Sequence, residues 1–166
     1  MENTLILNKL QIKQKVNRIA YQIYEDNFEE SEIIIAGIHP GGYKFAKRIV
    51  DVLKEISPLK VTLIDVILDK ENPLKEEVKL SVTKEFLSGK VVILVDDVLN
   101  SGKTLIYSMK PFLDTPLKKL RVAVLVNRNH KRYPVSPDFS GISLSTTLKE
   151  HIFVELNETD DSVYLN

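Results

Sequence analysis

No cysteine occurs among the 166 residues. Disulfides, thiolate metal sites and a cysteine nucleophile are therefore excluded. The absence suits a reducing cytoplasm, which is the expected location. Neither sign of charge is in excess: 23 basic and 23 acidic side chains leave a formal net charge of zero. Any nucleic-acid binding must then come from a local basic patch rather than a global field. No apolar run approaches the ~20 residues that span a bilayer, and the N-terminal MENTLILNKLQIKQKV lacks the long apolar stretch of a signal peptide, so no membrane role is expected. Repeats and low-complexity segments are missing too, and no His/Asp/Glu grouping has the spacing of a metal-ligand set. What remains, 43% hydrophobic and 28% charged residues, is the composition of an ordinary globular protein, expected to form a single domain over 1–166.

The pattern along the chain is one of alternating strands and helices. Asn8 is placed to cap a helix in which Ile12, Val16, Ile19, Ala20 and Ile23 recur at helical spacing. Glu32 to Gly37 is a short apolar run ending in glycine, the mark of a buried strand. His39-Pro40-Gly41-Gly42 reads as a loop, because two glycines and a proline disfavour regular structure. Phe45, Ile49, Val52 and Leu53 return to helical spacing, and Ser57-Pro58 ends that helix. Val61 to Leu68 is expected to be a strand, and Leu74 to Lys90 gives little signal. Val91 to Val95 is the clearest strand, followed by a loop and a helix from about Lys103 to Leu113. Leu120 to Val126 and Ile152 to Val154 add two more strands. Such alternation implies an α/β fold with a mainly parallel twisted sheet flanked by helices. Ligands bind outside the carboxyl ends of such strands, where the loops at 38–42, 69–73, 96–104 and 127–133 should share one rim.

The chemistry lies in Val91-Val92-Ile93-Leu94-Val95-Asp96-Asp97-Val98-Leu99-Asn100-Ser101-Gly102-Lys103-Thr104-Leu105. A buried strand delivers two adjacent carboxylates to the sheet edge, and a glycine-containing turn then opens a helix. Main-chain N–H groups of such a turn make an anion site, with Ser101 and Thr104 hydroxyls as further donors and Gly102 allowing close approach. Paired acids beside a phosphate cradle suit a sugar phosphate, whose vicinal hydroxyls donate to carboxylates. Ser101-Gly102-Lys103-Thr104 also looks like the end of a Walker A loop. That loop needs glycine where this chain has Asp97, whose charge would repel a triphosphate, so the NTPase reading fails.

The run resembles the 5-phosphoribosyl-1-pyrophosphate (PRPP) signature of type I phosphoribosyltransferases: apolar strand, two acids, then Ser/Thr-Gly-x-Thr. Gly37 to Lys47 (GIHPGGYKFAK) is similar to the pyrophosphate loop and following helix of hypoxanthine-type members. The C-terminal third, from AVLVNRNHKRYPVSPDF to HIFVEL, is most similar to the pyrimidine-operon attenuation regulators, which also have uracil phosphoribosyltransferase activity. The resemblance implies the type I phosphoribosyltransferase fold with a small or reduced hood. It implies that Asp96 and Asp97 bind the ribose hydroxyls and that Asn100, Ser101, Gly102, Lys103 and Thr104 hold the 5′-phosphate. His39, Pro40, Gly41 and Gly42 would face pyrophosphate, with Mg²⁺ bridging substrate oxygens and held by Asp96 and Asp97 only indirectly. The base would lie near Thr147, Leu148 and His151. Arg128, His130, Lys131 and Arg132 form a basic cluster that in the regulators belongs to an RNA- and nucleotide-binding surface; an exposed charged loop is the plain alternative. The acids Glu155, Glu158, Asp160 and Asp161 read as a solvated tail.

Three departures bear on activity. Asn100 stands where hypoxanthine-type enzymes have the Asp that serves as base for a purine, which argues against a purine substrate; the pyrimidine regulators have a Tyr there, so Asn100 matches neither group. The stretch Leu68-Asp69-Lys70-Glu71-Asn72-Pro73 lacks the aromatic of the usual mobile loop. Pro40 replaces the usual basic residue of the pyrophosphate loop. Relatives often hold a cis peptide there, and the matching bond is His39–Pro40, where cis costs ~0.5–1 kcal/mol rather than ~2.5–4 kcal/mol, so a cis bond is expected. The expected function is Mg²⁺-dependent transfer of phosphoribosyl from PRPP to a nucleobase, uracil favoured. The alternative is a weakly catalytic or non-catalytic regulator that senses PRPP or a nucleotide and binds RNA. Since relatives are commonly dimers or tetramers, a homo-oligomer is expected.

Overall fold

The computed structural model describes residues 3–166. Asn8 caps helix α1 (Lys9–Asp26) through a reciprocal pair: its side chain accepts from the Gln11 N–H, and the Gln11 side chain accepts from the Asn8 N–H, both at 2.9 Å. Such a cap is worth about 1 kcal/mol. The helix buries Ile12, Val16, Ile19, Ala20 and Ile23, as their spacing foretells.

The main sheet has six strands in the order β4-β3-β2-β5-β6-β7. They are β2 (Glu32–Ile38), β3 (Lys60–Ile67), β4 (Lys79–Leu80), β5 (Val91–Leu99), β6 (Lys119–Asn127) and β7 (Phe139–Ser143). All neighbours are parallel except β3 and β4. Both faces are covered, which is why the central strands read as unbroken apolar runs. Ile33, Ile35, Ile93 and Val95 pack beneath α1 and α2 (Gly41–Ile56), while Ile34, Ala36, Val92 and Leu94 face α3 (Lys84–Leu87), α4 (Lys103–Ser108) and α5 (Lys110–Leu113). A separate antiparallel sheet, β1-β9-β8, joins β1 (Thr4–Leu7) to β8 (Ile152–Glu155) and β9 (Ser162–Leu165). Its segment Val154 to Asn157 lines a cleft opposite Pro40, Gly41, Lys70 and Asp97, so the small sheet forms a hood beside the carboxyl ends of β2, β3 and β5.

Four expectations change. Gly41 and Gly42 are not loop but the first turn of α2, because the chain folds close against β5: a Cβ on Gly42 would stand 2.6 Å from the Val95 carbonyl oxygen. The strand expected to stop at Val95 runs to Leu99, since β6 continues alongside and pairs Asp96 with Val124 and Val98 with Val126. The helix expected from Lys103 to Leu113 breaks at Met109, where Pro111 has no N–H for the carbonyl four residues back. The acidic C-terminal stretch is not simply a solvated tail. Asp161 is buried and pairs with Arg48 of α2, whose Nη2 donates to its Oδ1 at 2.9 Å.

Candidate active site

The ends of β2, β3, β5 and β6 meet on one rim. At its centre β5 carries Asp96 and Asp97. Their carboxylates fold back on the strand: Asp96 Oδ1 accepts from the Asp97 N–H at 2.9 Å, and Asp97 Oδ1 from the Val98 N–H at 2.8 Å. Asp96 is 2% exposed. Burial, followed by the charge of Asp97, pushes its carboxyl well above the usual range, opposed by the Lys70 ammonium 3.7 Å away. Asp97 is half-buried, and its Oδ2 occupies the space where a side chain on Gly41 would begin. The glycine at 41 therefore keeps the α2 terminus and this carboxylate in contact.

Beyond Leu99 the chain turns through Asn100 and Ser101 to Gly102, whose φ of 87° favours glycine. The turn is fastened from outside. The Ser101 carbonyl accepts from the N–H groups of Arg132 at 2.8 Å and Tyr133 at 3.0 Å. Ser101 Oγ accepts from the Lys103 N–H at 3.2 Å, which leaves its hydroxyl hydrogen free for a ligand. Thr104 lies half-buried in the first turn of α4. Lys103 Nζ reaches away, donating to the Glu71 carbonyl at 3.1 Å and holding the 69–73 loop against the turn.

On the opposite side, the His39–Pro40 bond is cis, as expected. His39 Nε2 lies 2.6 Å from Asp65 Oδ1, and its ring stacks on Tyr43 with centroids 4.2 Å apart. A cleft of about 330 Å³ runs between Pro40, Gly41, Lys44, Lys70 and Asp97 below and Val154 to Asn157 of the hood above. Two lysines, Lys44 and Lys70, and two carboxylates, Asp97 and Glu155, thus line one space of a size that suits pyrophosphate. Sequence reasoning named neither lysine as a site residue. Lys70 follows β3 by three positions, on the same rim as the acids, and that was the available signal.

The basic cluster divides. Arg128 is not in an exposed loop: it is 8% exposed. Its Nε donates to Thr146 Oγ1 at 2.6 Å, its Nη2 to the carbonyls of Thr147 and Glu150, and its Nη1 reaches Asn100 Oδ1 at 3.5 Å. A guanidinium serves here because the 146–150 segment makes no ladder of its own and its carbonyls need donors. His130 donates to the Thr146 carbonyl at 2.6 Å. Lys131 and Arg132 remain exposed. Thr147, Leu148 and His151 are exposed and line none of the cleft, although Arg128 ties their segment to Asn100. No grouping of three metal-ligating side chains occurs among the described residues.

Comparison with known proteins agrees with this geometry. The Phosphoribosyl transferase domain matches residues 3–159. The Bifunctional protein PyrR of Streptococcus pneumoniae (strain CGSP14) is 33% identical over 166 residues, spanning 97% of this chain and 94% of the relative. A crystal structure of a hypoxanthine-guanine phosphoribosyltransferase from Bacillus anthracis superposes with a TM-score of 0.71 at 25% identity, covering 87% of this chain and 85% of that one. The hypoxanthine phosphoribosyltransferase of Trypanosoma cruzi shares the fold, with a TM-score of 0.77 over 96% of this chain and 95% of its own, at 15% identity. With its acid pair, glycine turn and hood arranged in this way, the chain belongs to the phosphoribosyltransferases, enzymes that transfer a pentosyl group.

Proposed function

We propose that this chain transfers the 5-phosphoribosyl group of PRPP to a nucleobase, uracil in preference to a purine, with release of pyrophosphate. The observation that carries the reading is the juxtaposition of Asp96 and Asp97 with the Gly102 turn on one side and the Gly41 helix start on the other. Asp96 and Asp97 accept from the ribose hydroxyls. The main chain from Asn100 to Thr104, with the Ser101 and Thr104 hydroxyls, holds the 5′-phosphate. Gly41 and Gly42 offer N–H donors to pyrophosphate, and Lys44 and Lys70 face it as cations. A base nitrogen bonds to the anomeric carbon as the bond to pyrophosphate breaks, through an oxocarbenium-like transition state. The N–H proton of the base passes to water or to the departing pyrophosphate, so the residues act by positioning and charge stabilisation.

Mg²⁺ fits this site on the chemistry of its donors. Asp96 and Asp97 are adjacent hard-oxygen donors; burial first and the Asp97 charge second raise the Asp96 carboxyl, and a divalent cation would offset the repulsion between the two. With two carboxylates and no third ligand, most of its coordination would come from substrate oxygens and water. When bound, it would neutralise pyrophosphate as that group departs.

Asn100 supports the pyrimidine preference, because an amide is a poor proton acceptor and here its oxygen already faces Arg128. Incubating the purified protein with PRPP, Mg²⁺ and a panel of bases, and following pyrophosphate release, tests the assignment. Uracil should outpace hypoxanthine and guanine; no release with any base would end the proposal. A second reading, a PRPP-sensing regulator that binds RNA, is favoured by the likeness to a bifunctional relative. Its basic contact reduces to Lys131 and Arg132, since Arg128 and His130 serve the protein's own backbone.

A further inference from the structure

A second hollow of about 450 Å³ adjoins the cleft on the far side of Lys44. His39, Tyr43, Lys44 and Lys47 form one wall, and Asn157 and Glu158 the other. The two hollows have Pro40, Lys44, Leu156 and Asn157 in common, so they connect around the start of α2. Lys44 and Lys47 have no ion-pair partner among the described residues. Arg48 also borders the hollow, but its charge is met by Asp161. Glu158 is the acidic member of the lining, so free cations outnumber free anions.

His39 contributes a fixed polar edge. Asp65, reaching across from β3, accepts from its Nε2, and Tyr43 stacks on the ring with an interplanar angle of 16°. A ring held at two points costs little further entropy when it meets a ligand. With Nε2 committed to Asp65, Nδ1 is the nitrogen left for an incoming oxygen, and it donates when the ring is an imidazolium. His39 does not line the cleft itself; it lines the neighbouring hollow.

We infer that this hollow is a second anion subsite, which takes pyrophosphate after it has left the cleft, with Lys44 passing it from one space to the other. Lys47 and His39 bind it there, and Asp65 is the positioning residue for His39. The inference rests on the reading of the cleft as a PRPP site, and the test separates the two. The full-length protein is titrated with inorganic pyrophosphate and Mg²⁺ by calorimetry, alone and saturated with PRPP. Two classes of pyrophosphate site per chain are expected, of which PRPP abolishes the tighter and spares the weaker. Lys47→Gln and His39→Gln should each weaken the second class by on the order of tenfold, as loss of one charge-assisted contact implies. A single class in the wild type, or a weaker class unaltered in both variants, overturns the subsite. A tighter class indifferent to PRPP overturns the cleft assignment and leaves the subsite standing.

Discussion

Gly41→Ala and Gly42→Ala form a paired test, because neighbouring glycines at the start of α2 press on different kinds of atom. A Cβ on Gly42 would stand 2.6 Å from the Val95 carbonyl oxygen and 2.8 Å from the Asp96 Cα. Both belong to the backbone of the central strand, and neither moves unless α2 shifts against β5. Overpacking of that kind costs about 1–3 kcal/mol. In a chain of this size it lowers the melting temperature by roughly 2–4 °C per kcal/mol. A Cβ on Gly41 instead overlaps the carboxyl group of Asp97, the end of a side chain that can rotate. Stability should then change by no more than about 1 kcal/mol, because alanine is the better helix residue by nearly that amount. The carboxylate is what moves. An ionised acceptor withdrawn from a ribose hydroxyl forfeits about 1.5–3 kcal/mol, or roughly 10- to 150-fold in PRPP affinity. Urea unfolding and PRPP calorimetry on both variants read the two effects independently. PRPP affinity of Gly41→Ala within about twofold of wild type would refute the assignment of Asp97 to the ribose, and equal destabilisation by the two substitutions would refute the packing argument.

Asp96→Asn should stabilise the ligand-free protein while weakening PRPP binding. The folded state holds the proton on Asp96 more tightly than the unfolded chain, so stability falls as pH rises from the ordinary carboxylate range through the raised value; calorimetric melting should show the variant ahead near neutral pH and level with wild type toward about pH 4. Asp161→Ala has the opposite sign. Hydrogen bonding to Arg48 lowers the Asp161 carboxyl below 3.8, so its stabilisation is complete above that value and fades as pH falls through the lowered one; urea unfolding at neutral pH should lose about 1–3 kcal/mol. Asn100→Asp should raise turnover with hypoxanthine, and brisk wild-type turnover of that base would contradict the role given to Asn100.

Much of the main sheet was legible because both of its faces are buried. The runs at Ile33 to Ala36, Val91 to Val95 and Val122 to Val126 carry no polar residue to interrupt them, and a parallel strand between two helical layers has that signature. The Asn8 cap and the stripe from Ile12 to Ile23 were legible for the matching reason in a helix. The acid pair and glycine turn could be read because their chemistry is local: every member lies within nine residues, from Asp96 to Thr104. Where the sequence was silent, the determinants were far apart along the chain. β1 and β9 are four residues each and pair across almost the whole sequence, with Thr4 opposite Leu165. Strands so short have no period to detect until their partner is known.

Charged residues show the same division between local and distant cause. Asp161 and Arg128 were both read as exposed because charge in a polar stretch ordinarily marks solvent. Each is buried because a partner elsewhere needs it. Asp161 accepts from the N–H groups of Asn157 and Glu158 and from Arg48, so one carboxylate closes the turn before β9 and fastens the hood to α2. Arg128 supplies several N–H donors to a segment without strand partners, a task that Lys, with a single point of charge, would perform poorly. These two side chains fix the positions of the hood wall and of the 146–150 segment, whereas Asp96, Asp97 and Gly102 are set by β5 and its turn. The phosphoribosyl half of the site was therefore written in contiguous sequence. The hood wall and the 146–150 segment depend on contacts spanning 18 to 113 residues, and their placement was for that reason the less legible property.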